Sequence, residues 1–209
     1  MGRKTGVTPE QTRAELVEAA ARVFALKGYD GASIADIIDD AGLSRGSVYT
    51  HFPSKAELFI AVVREHGRQD YLDLIGLEQT EDLADLSSVV GSVNEFLALV
   101  GSSFASRPPT DAPILVEAIV ASKRDPEVSE LVTSWILEIE DLIAAAIASA
   151  QERGAISPDV NAAALARFAT LVDLAARLAG GMDLPAVDDD GWSDLVSGLV
   201  TSIRNPPHD

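Results

Sequence analysis

The sequence predicts an all-α fold, with an N-terminal three-helix region that has helix-turn-helix spacing and a larger helical body after it. Apolar residues recur every three or four positions along most of the chain, which is the spacing of one face of an α-helix. No segment alternates apolar and polar residues like a half-buried strand, and no Asn-Gly or Asp-Gly turn joins two such segments. Gly and Pro residues divide the pattern into separate helices.

The composition is that of a globular protein, since 47% of the 209 residues are hydrophobic and 23% are charged. The chain has no cysteine, which excludes a disulfide framework and thiolate metal sites. It has neither a signal-peptide pattern at its start nor the run of about 18 apolar residues that a membrane-spanning helix needs. We therefore expect a cytoplasmic protein that does not bind a membrane.

Charge is distributed unevenly along the chain, whose formal net charge is −17. Residues 1–70 contain 9 basic and 10 acidic residues, whereas residues 71–209 contain 7 basic and 23 acidic residues. Phosphate groups would repel the acidic second part. If this protein binds DNA, the nearly neutral first part is the surface that faces the DNA. Acidity that serves only solubility is the alternative.

The first helix is expected to begin after Thr8, which can cap it. Pro9 suits the first turn, Gln11 can complete a capping box, and Gly28 is expected to end the helix.

Serine residues mark the starts of the next three helices. Ser33 can cap a second helix that ends at Gly42, and Ser44 can cap a third that extends to about residue 51. Ser54 and Glu57 have the spacing of another capping box, and they open a fourth helix.

Breaks in the rest of the chain separate five longer helices. The breaks lie at Pro108-Pro109, Asp125-Pro126, Gly154 with Pro158, and Gly180-Gly181 with Pro185. The helices are expected at residues 82–105, 112–122, 126–152, 159–180 and 190–204.

The second and third helices, at residues 33–41 and 44–51, are joined by a tight turn at Gly42-Leu43. This is the spacing of a helix-turn-helix, whose second helix enters the major groove of DNA. Many helical hairpins share this spacing without binding DNA. Spacing alone therefore does not distinguish a DNA-binding motif from an ordinary helical hairpin.

The identities of the residues favour the DNA-binding interpretation. The run from Thr12 to Leu58 resembles the DNA-binding domain of the tetracycline-repressor (TetR) family. The matching stretches are Thr12-Arg13, Ala19-Ala20, Phe24, Gly28-Tyr29, Ser33, Asp36-Ile37, Ala41-Gly42-Leu43-Ser44, Gly46, Val48-Tyr49, His51-Phe52 and Lys55 with Leu58. Two positions depart from the family pattern: Ala32 replaces a common threonine, and Ile38 replaces a small alanine between the two helices.

The resemblance implies which side chains contact DNA. Arg45 and Ser47 are expected to read sequence, whereas Tyr49, His51 and Lys55 are expected to contact phosphate groups. Gly46 has no side chain, so the backbone can approach the groove. The full expected set is Ser33, Arg45, Gly46, Ser47, Tyr49, Thr50, His51 and Lys55. Arg3 and Lys4 form a basic arm that either reaches a minor groove or is a solvated tail.

The helix expected at residues 159–180 is apolar on nearly all sides, and such a helix must be buried on more than one face. In the TetR family the last two long helices form a dimer interface, so the resemblance implies a homodimer. The expected interface residues are Leu171, Leu174, Leu178, Trp192, Leu195 and Leu199. A larger core within one chain is the alternative.

The resemblance also implies a ligand pocket among the middle helices. The candidate lining residues are Phe96, Val100, Phe104, Glu117, Trp135, Glu138 and Phe168. Their aromatic character suits a small, mainly apolar effector, although each residue could instead belong to an ordinary core.

These observations together predict a DNA-binding domain at residues 1–54 and a helical ligand-binding and dimerisation domain at residues 55–209, with the fourth helix linking them. The expected function is a ligand-responsive regulator, a repressor that binds a palindromic operator as a dimer and is released by its effector. A helical scaffold that has lost DNA binding is the alternative.

An enzyme is not expected, and neither a cofactor nor a metal site is predicted. The segment Gly42–Gly46 matches the G-x-S-x-G pattern of hydrolases, but that motif requires a preceding strand, and a helix is predicted there. His66 and Asp70 have metal-ligand spacing on one helix, and we interpret them as solvated side chains.

Overall fold

The computed structural model describes residues 8–75, 112–180 and 189–203, and these residues are almost entirely helical. The helices are α1 (Pro9–Gly31), α2 (Ile34–Ala41), α3 (Arg45–His51), α4 (Lys55–Ile75), α5 (Ala112–Ser122), α6 (Pro126–Glu152), α7 (Ala162–Gly180) and α8 (Asp189–Ile203). Within these ranges no strand occurs, and the all-α prediction is confirmed. Among the same residues, no helix is both long enough and apolar enough to span a membrane.

The bounds of the later helices agree closely with the sequence pattern. Helices α5 and α6 begin and end where the pattern predicts. Helix α7 begins three residues later than expected, because the Asn161 side chain caps it by accepting a hydrogen bond from the Ala164 N–H, 2.9 Å away. The helix expected at residues 82–105 lies outside the described residues.

Helix α1 is interrupted at Gly28, where the sequence predicts its end. The backbone there has φ 68° and ψ 174°, and one further turn reaches Gly31. Both halves of the expected capping box are present at Thr8 with Gln11, and a second complete capping box joins Ser33 and Asp36. At the start of α4, the Glu57 N–H donates to the Ser54 hydroxyl over 3.0 Å.

Contacts divide the chain into two compact units. The first contains residues 1–69 and 113–133, and the second contains residues 70–112 and 134–209. The first unit thus includes most of α4 and α5 and the start of α6 in addition to α1–α3. The predicted domains at residues 1–54 and 55–209 are functional assignments, and they stay a prediction.

The core of the first unit is built from side chains on α1 to α4. Leu16, Ile37 and Val48 are fully buried, so each helix of the N-terminal region contributes an anchor. The ring of Phe59 lies 4.8 Å, centroid to centroid, from both Phe24 and Tyr29. This aromatic cluster fixes the start of α4 against α1.

The second unit has its own apolar cluster and a buried carboxylate. Ile147, Ala150, Ile156 and Ala166 form the cluster, which joins α6 to α7. Glu140 on α6 is buried, and its carboxylate accepts hydrogen bonds from the Arg167 guanidinium on α7, one of them 2.6 Å long. The pair compensates for burying a charge, and its hydrogen bonds raise the pKa of Arg167.

Candidate nucleic-acid interface

Helix α3 presents polar side chains to solvent on a rigid base. Its N-cap is Ser44, whose hydroxyl accepts from the Ser47 N–H over 3.2 Å. Val48 within the helix and Phe52 after it are buried and hold the helix on the core. Arg45 and Tyr49 lie on the opposite, exposed face. This is the arrangement that a DNA-reading helix requires, with one face in the core and one free to enter a groove.

The turn between α2 and α3 is set by Gly42. This residue has φ 65° and ψ 27°, in the left-handed region that a glycine adopts without strain. The Leu43 N–H donates to the Ile38 carbonyl over 3.3 Å, which closes the C-terminus of α2. The turn therefore orients α3 relative to α2. Ile38, which is larger than the alanine of the family pattern, is half-buried at this junction, and α3 still packs there.

The side chains on the exposed face of α3 are partly held by local contacts. The Arg45 guanidinium carbon lies 5.8 Å from the centroid of the Tyr49 ring. The Ser47 and Ser44 hydroxyls are 2.9 Å apart, and the Thr50 hydroxyl donates to the Gly46 carbonyl over 2.8 Å. Stacking on Tyr49 limits the orientations of the arginine, which lowers the entropy that a base contact would cost.

The Lys55 ammonium is already hydrogen-bonded within the protein, unlike a side chain whose only role is to bind phosphate. Its ammonium donates to the carbonyl oxygens of Tyr29, at 2.8 Å, and Ala32, at 3.2 Å. It also lies 4.2 Å from the centroid of the Tyr29 ring. Two of its three protons are thus used at the end of α1, and a phosphate would take the third. Its contact with DNA stays a prediction.

Ser33 likewise has a structural role. Its hydroxyl donates to the Asp36 carboxylate over 2.7 Å and accepts from the Asp36 N–H over 3.2 Å. Lys27 donates to the same carboxylate over 2.6 Å. These hydrogen bonds, that of Lys27 first, lower the pKa of Asp36 to about 2. A DNA contact by Ser33 stays a prediction.

Sequence reasoning missed the contacts around Tyr29. The Tyr29 hydroxyl donates to the Asp125 carboxylate over 2.7 Å, and the Tyr29 N–H donates to the Glu117 carboxylate over the same distance. Burial, followed by the hydrogen bond to Asp125, raises the pKa of the Tyr29 hydroxyl. Arg124 pairs with Asp30 nearby. Helix α5 and the turn that leads from it into α6 therefore contact the end of α1, although about 90 residues separate the partners in sequence.

The contact to Tyr29 bears on Glu117 as a candidate ligand residue. One of its carboxylate oxygens accepts the Tyr29 N–H, so a ligand would have to share or displace this bond. Trp135 is half-buried, and Glu138 is exposed. Phe96, Val100 and Phe104 lie outside the described residues. Ligand contacts by these residues stay predictions.

The expected interface residues are exposed or half-buried in the single chain. Leu171, Leu195 and Leu199 are exposed, and Leu174 and Leu178 are half-buried. The structure does not describe the Trp192 side chain. Phe168 is one of the candidate pocket residues, and its contact with a ligand stays a prediction. Phe168 is 48% exposed and lies one turn before Leu171 on the same side of α7, because the core takes Ala166 and Ala169 instead.

Comparisons with known proteins agree with this geometry. The family model described as "Bacterial regulatory proteins, tetR family" matches residues 16–62. The chain is 31% identical over 202 residues to a probable HTH-type transcriptional regulator, ArpR of Pseudomonas putida, covering 93% of each chain. It is 27% identical over 205 residues to the HTH-type transcriptional repressor AcnR of Corynebacterium efficiens, covering 97% of each chain.

Solved structures share the fold. Salmonella enterica GusR superposes with a TM-score of 0.66 at 20% identity, covering 95% of this chain and 98% of that one. A TetR-family regulator from Rhodococcus sp. gives the same TM-score at 18% identity, covering 93% of this chain and 98% of that one. At these identities the likeness establishes the fold alone.

Proposed function

This chain belongs to the tetR family of bacterial regulatory proteins and is a DNA-binding transcription regulator with a helix-turn-helix, and on that premise we propose that it is a ligand-responsive repressor. It binds a palindromic operator as a homodimer and is released by a small, mainly apolar effector. Because its partner is DNA, its proposed place of action is the cytoplasm. Related chains include one named as a repressor.

The observation that carries the proposal is the exposed face of α3. Arg45 and Tyr49 are exposed there on a helix whose other side is anchored by Val48. Arginine can donate two hydrogen bonds to guanine in the major groove, and a phenol can donate to phosphate. An interface that reads sequence needs both kinds of contact.

Homodimer formation is supported by the apolar side chains that α7 and α8 leave exposed. Leu171 is 55% exposed and Leu199 is 47% exposed in the single chain. Large apolar side chains at helical spacing are costly in water and are typical of a surface that a partner covers. Two copies of α3 could then enter successive major grooves about 34–36 Å apart.

The proposed switch acts through α4. This helix begins next to α3 and continues from the first compact unit into the second. An effector that favours a different tilt of α4 would change the spacing of the two recognition helices in the dimer. DNA affinity would then fall, because both helices could no longer enter their grooves together.

The proposal is tested by selecting DNA from a random-sequence duplex library with the purified full-length protein. We expect enrichment of an inverted repeat, and tighter binding to it than to a scrambled duplex by a factor of at least about 1,000. A selection that enriches no sequence would contradict the proposal and favour a helical scaffold. An enriched site without inverted symmetry would contradict binding of a palindromic operator by a dimer, but not DNA binding itself.

A further inference from the structure

The three basic side chains of α1 differ in what they contact. Arg22 donates to the Asp40 carboxylate over 2.7 Å, and Lys27 donates to the Asp36 carboxylate over 2.6 Å. These two cations are neutralised by acidic residues of α2. Arg13 is exposed and has no salt bridge to any carboxylate within the described ranges 8–75, 112–180 and 189–203. Its positive charge is therefore available to an external anion.

Arg13 is held beside the end of the recognition helix. Its guanidinium carbon lies 5.1 Å from the centroid of the Phe52 ring. Phe52 follows α3 directly, is 3% exposed, and donates its N–H to the Val48 carbonyl over 2.8 Å. Because its ring is buried and its backbone is hydrogen-bonded, Phe52 holds a fixed position next to Arg13. The start of α1 and the end of α3 thus lie side by side.

The electrostatics of Glu10 agree with this placement of the two helix ends. Hydrogen bonds from its own backbone and from the Thr8 hydroxyl lower the pKa of Glu10, and the charge of His51 adds to this effect. Glu10 is in the first turn of α1, and His51 is the last residue of α3. A helix in the major groove, which is about 12 Å wide, is flanked by phosphates of both strands. Cations beside its end therefore face a phosphate backbone.

We propose that Arg13 is a further DNA contact of this protein, binding a backbone phosphate next to the base pairs that α3 reads. The planar guanidinium can donate two parallel hydrogen bonds to phosphate oxygens, and its stack on Phe52 holds it in place beforehand. The contact extends the interface onto α1. Arg13 precedes residues 16–62, which the family model matches, and belongs to the Thr12-Arg13 stretch that resembles the TetR pattern. The inference rests on DNA binding by α3.

The test uses Arg13→Gln, Arg13→Lys and the matched control Arg22→Gln in the full-length protein. Arg22 is on the same helix, is exposed, and is already paired with Asp40. The probes are the 30-base-pair duplex that the wild type selects from a random library and a scrambled duplex of equal composition. The dissociation constant is measured by fluorescence anisotropy over a series of salt concentrations.

We expect Arg13→Gln to weaken binding to both duplexes by the same factor, on the order of tenfold, because a phosphate contact carries no sequence information. The slope of log K against log salt should fall by about 0.9 for each subunit bound. Arg13→Lys keeps the charge and should keep the wild-type slope. Arg22→Gln should bind within about twofold of wild type, with an unchanged slope.

Three results would overturn the inference. They are a wild-type slope for Arg13→Gln, an equal loss of slope for Arg22→Gln, and a loss confined to the selected duplex. Circular dichroism and thermal melting of each variant separate loss of contact from loss of fold, and Arg13→Lys provides the folded comparison. If the wild type binds neither duplex, the proposed function fails rather than this contact.

Discussion

Arg45 and Tyr49 lie one turn apart on α3, and their stacking links two different kinds of DNA contact. Tyr49→Phe removes the hydroxyl and keeps the ring beneath Arg45. We expect it to weaken binding by about 0.5–1.5 kcal/mol on every duplex, because one neutral hydrogen bond to phosphate is lost. Anisotropy titrations with the selected and the scrambled duplex measure this. Loss on the selected duplex alone would contradict a phosphate contact.

Arg45→Ala should instead reduce the preference for the selected sequence. Loss of a bidentate contact to one base costs about 1–3 kcal/mol of discrimination at that position. Competition between duplexes that differ at single base pairs identifies the position. If all single-base preferences survive in Arg45→Ala, Arg45 does not read sequence.

Asp36 links a single residue to the acid stability of the fold. Its folded pKa of about 2 is below the ordinary value of 3.8, with the hydrogen bond from Lys27 as the largest cause. The unfolded chain binds the proton more tightly, so this contribution to stability is complete above the ordinary pKa and is lost as the pH falls from 3.8 towards 2. Lys27→Met should therefore raise the Asp36 pKa. NMR titration of the carboxyl carbon tests this, with Arg22→Met as the control that should leave Asp36 unchanged.

At the scale of elements, two glycines shape the N-terminal region: Gly28 interrupts α1, and Gly42 forms the turn between α2 and α3. Gly42 has the ordinary left-handed conformation, and a side chain added there would meet no atom within 4 Å. Gly28 has φ 68° with ψ 174°, a region occupied almost only by glycine, and an added Cβ would lie 3.1 Å from a Glu117 carboxylate oxygen. The break in α1 and the contact to α5 therefore depend on the same residue.

Asparagine at the two positions should have unequal effects. Gly42→Asn should lower the free energy of unfolding by less than about 1 kcal/mol, because asparagine tolerates the left-handed region. Gly28→Asn should lower it by about 1–3 kcal/mol, because its backbone region is strained for any side chain. Urea denaturation of both variants measures the difference. Equal losses would mean that the conformation at Gly28 relaxes in solution.

At the scale of the whole molecule, the exposed leucines of α7 and α8 predict an assembly. Leu171→Arg or Leu199→Arg should leave each chain folded, because both positions are exposed in it, yet place an unpaired charge in the proposed interface. Sedimentation velocity should then report helical monomers. Leu26→Arg is the matched control, since Leu26 is 82% exposed on α1 and should leave the dimer intact. A wild-type protein that is monomeric at micromolar concentration would contradict the proposed homodimer.

The effector should compete with DNA through the whole molecule. Linkage requires DNA to lower effector affinity by the factor by which the effector lowers DNA affinity, typically about 5–150-fold. A compound found by a thermal-shift screen is titrated into free protein and into the operator complex. Trp135→Ala should weaken the compound without changing DNA affinity in its absence. Equal affinities in the two titrations would rule out induced release.

The local sequence by itself determined the elements of the first unit and the bounds of α5 and α6. Caps such as Thr8 and Ser33 act within one helical turn, and Gly42 acts on its own backbone angles, so the nearby residues suffice to predict them. The exposed polar face of α3 follows from the same helical period. The spacing of these elements left DNA binding open, and the matching residues between Thr12 and Leu58 favoured it.

The tertiary structure alone decided which distant groups meet. Tyr29 takes its partners Glu117 and Asp125 from about 90 residues away, and no local pattern encodes such a pairing. Lys55 likewise donates to the carbonyls at the end of α1, and Phe168 is exposed on α7. Helical periodicity shows that a helix has faces, but the packing of the other helices decides which face is covered, because burial depends on the volume that all of them fill together.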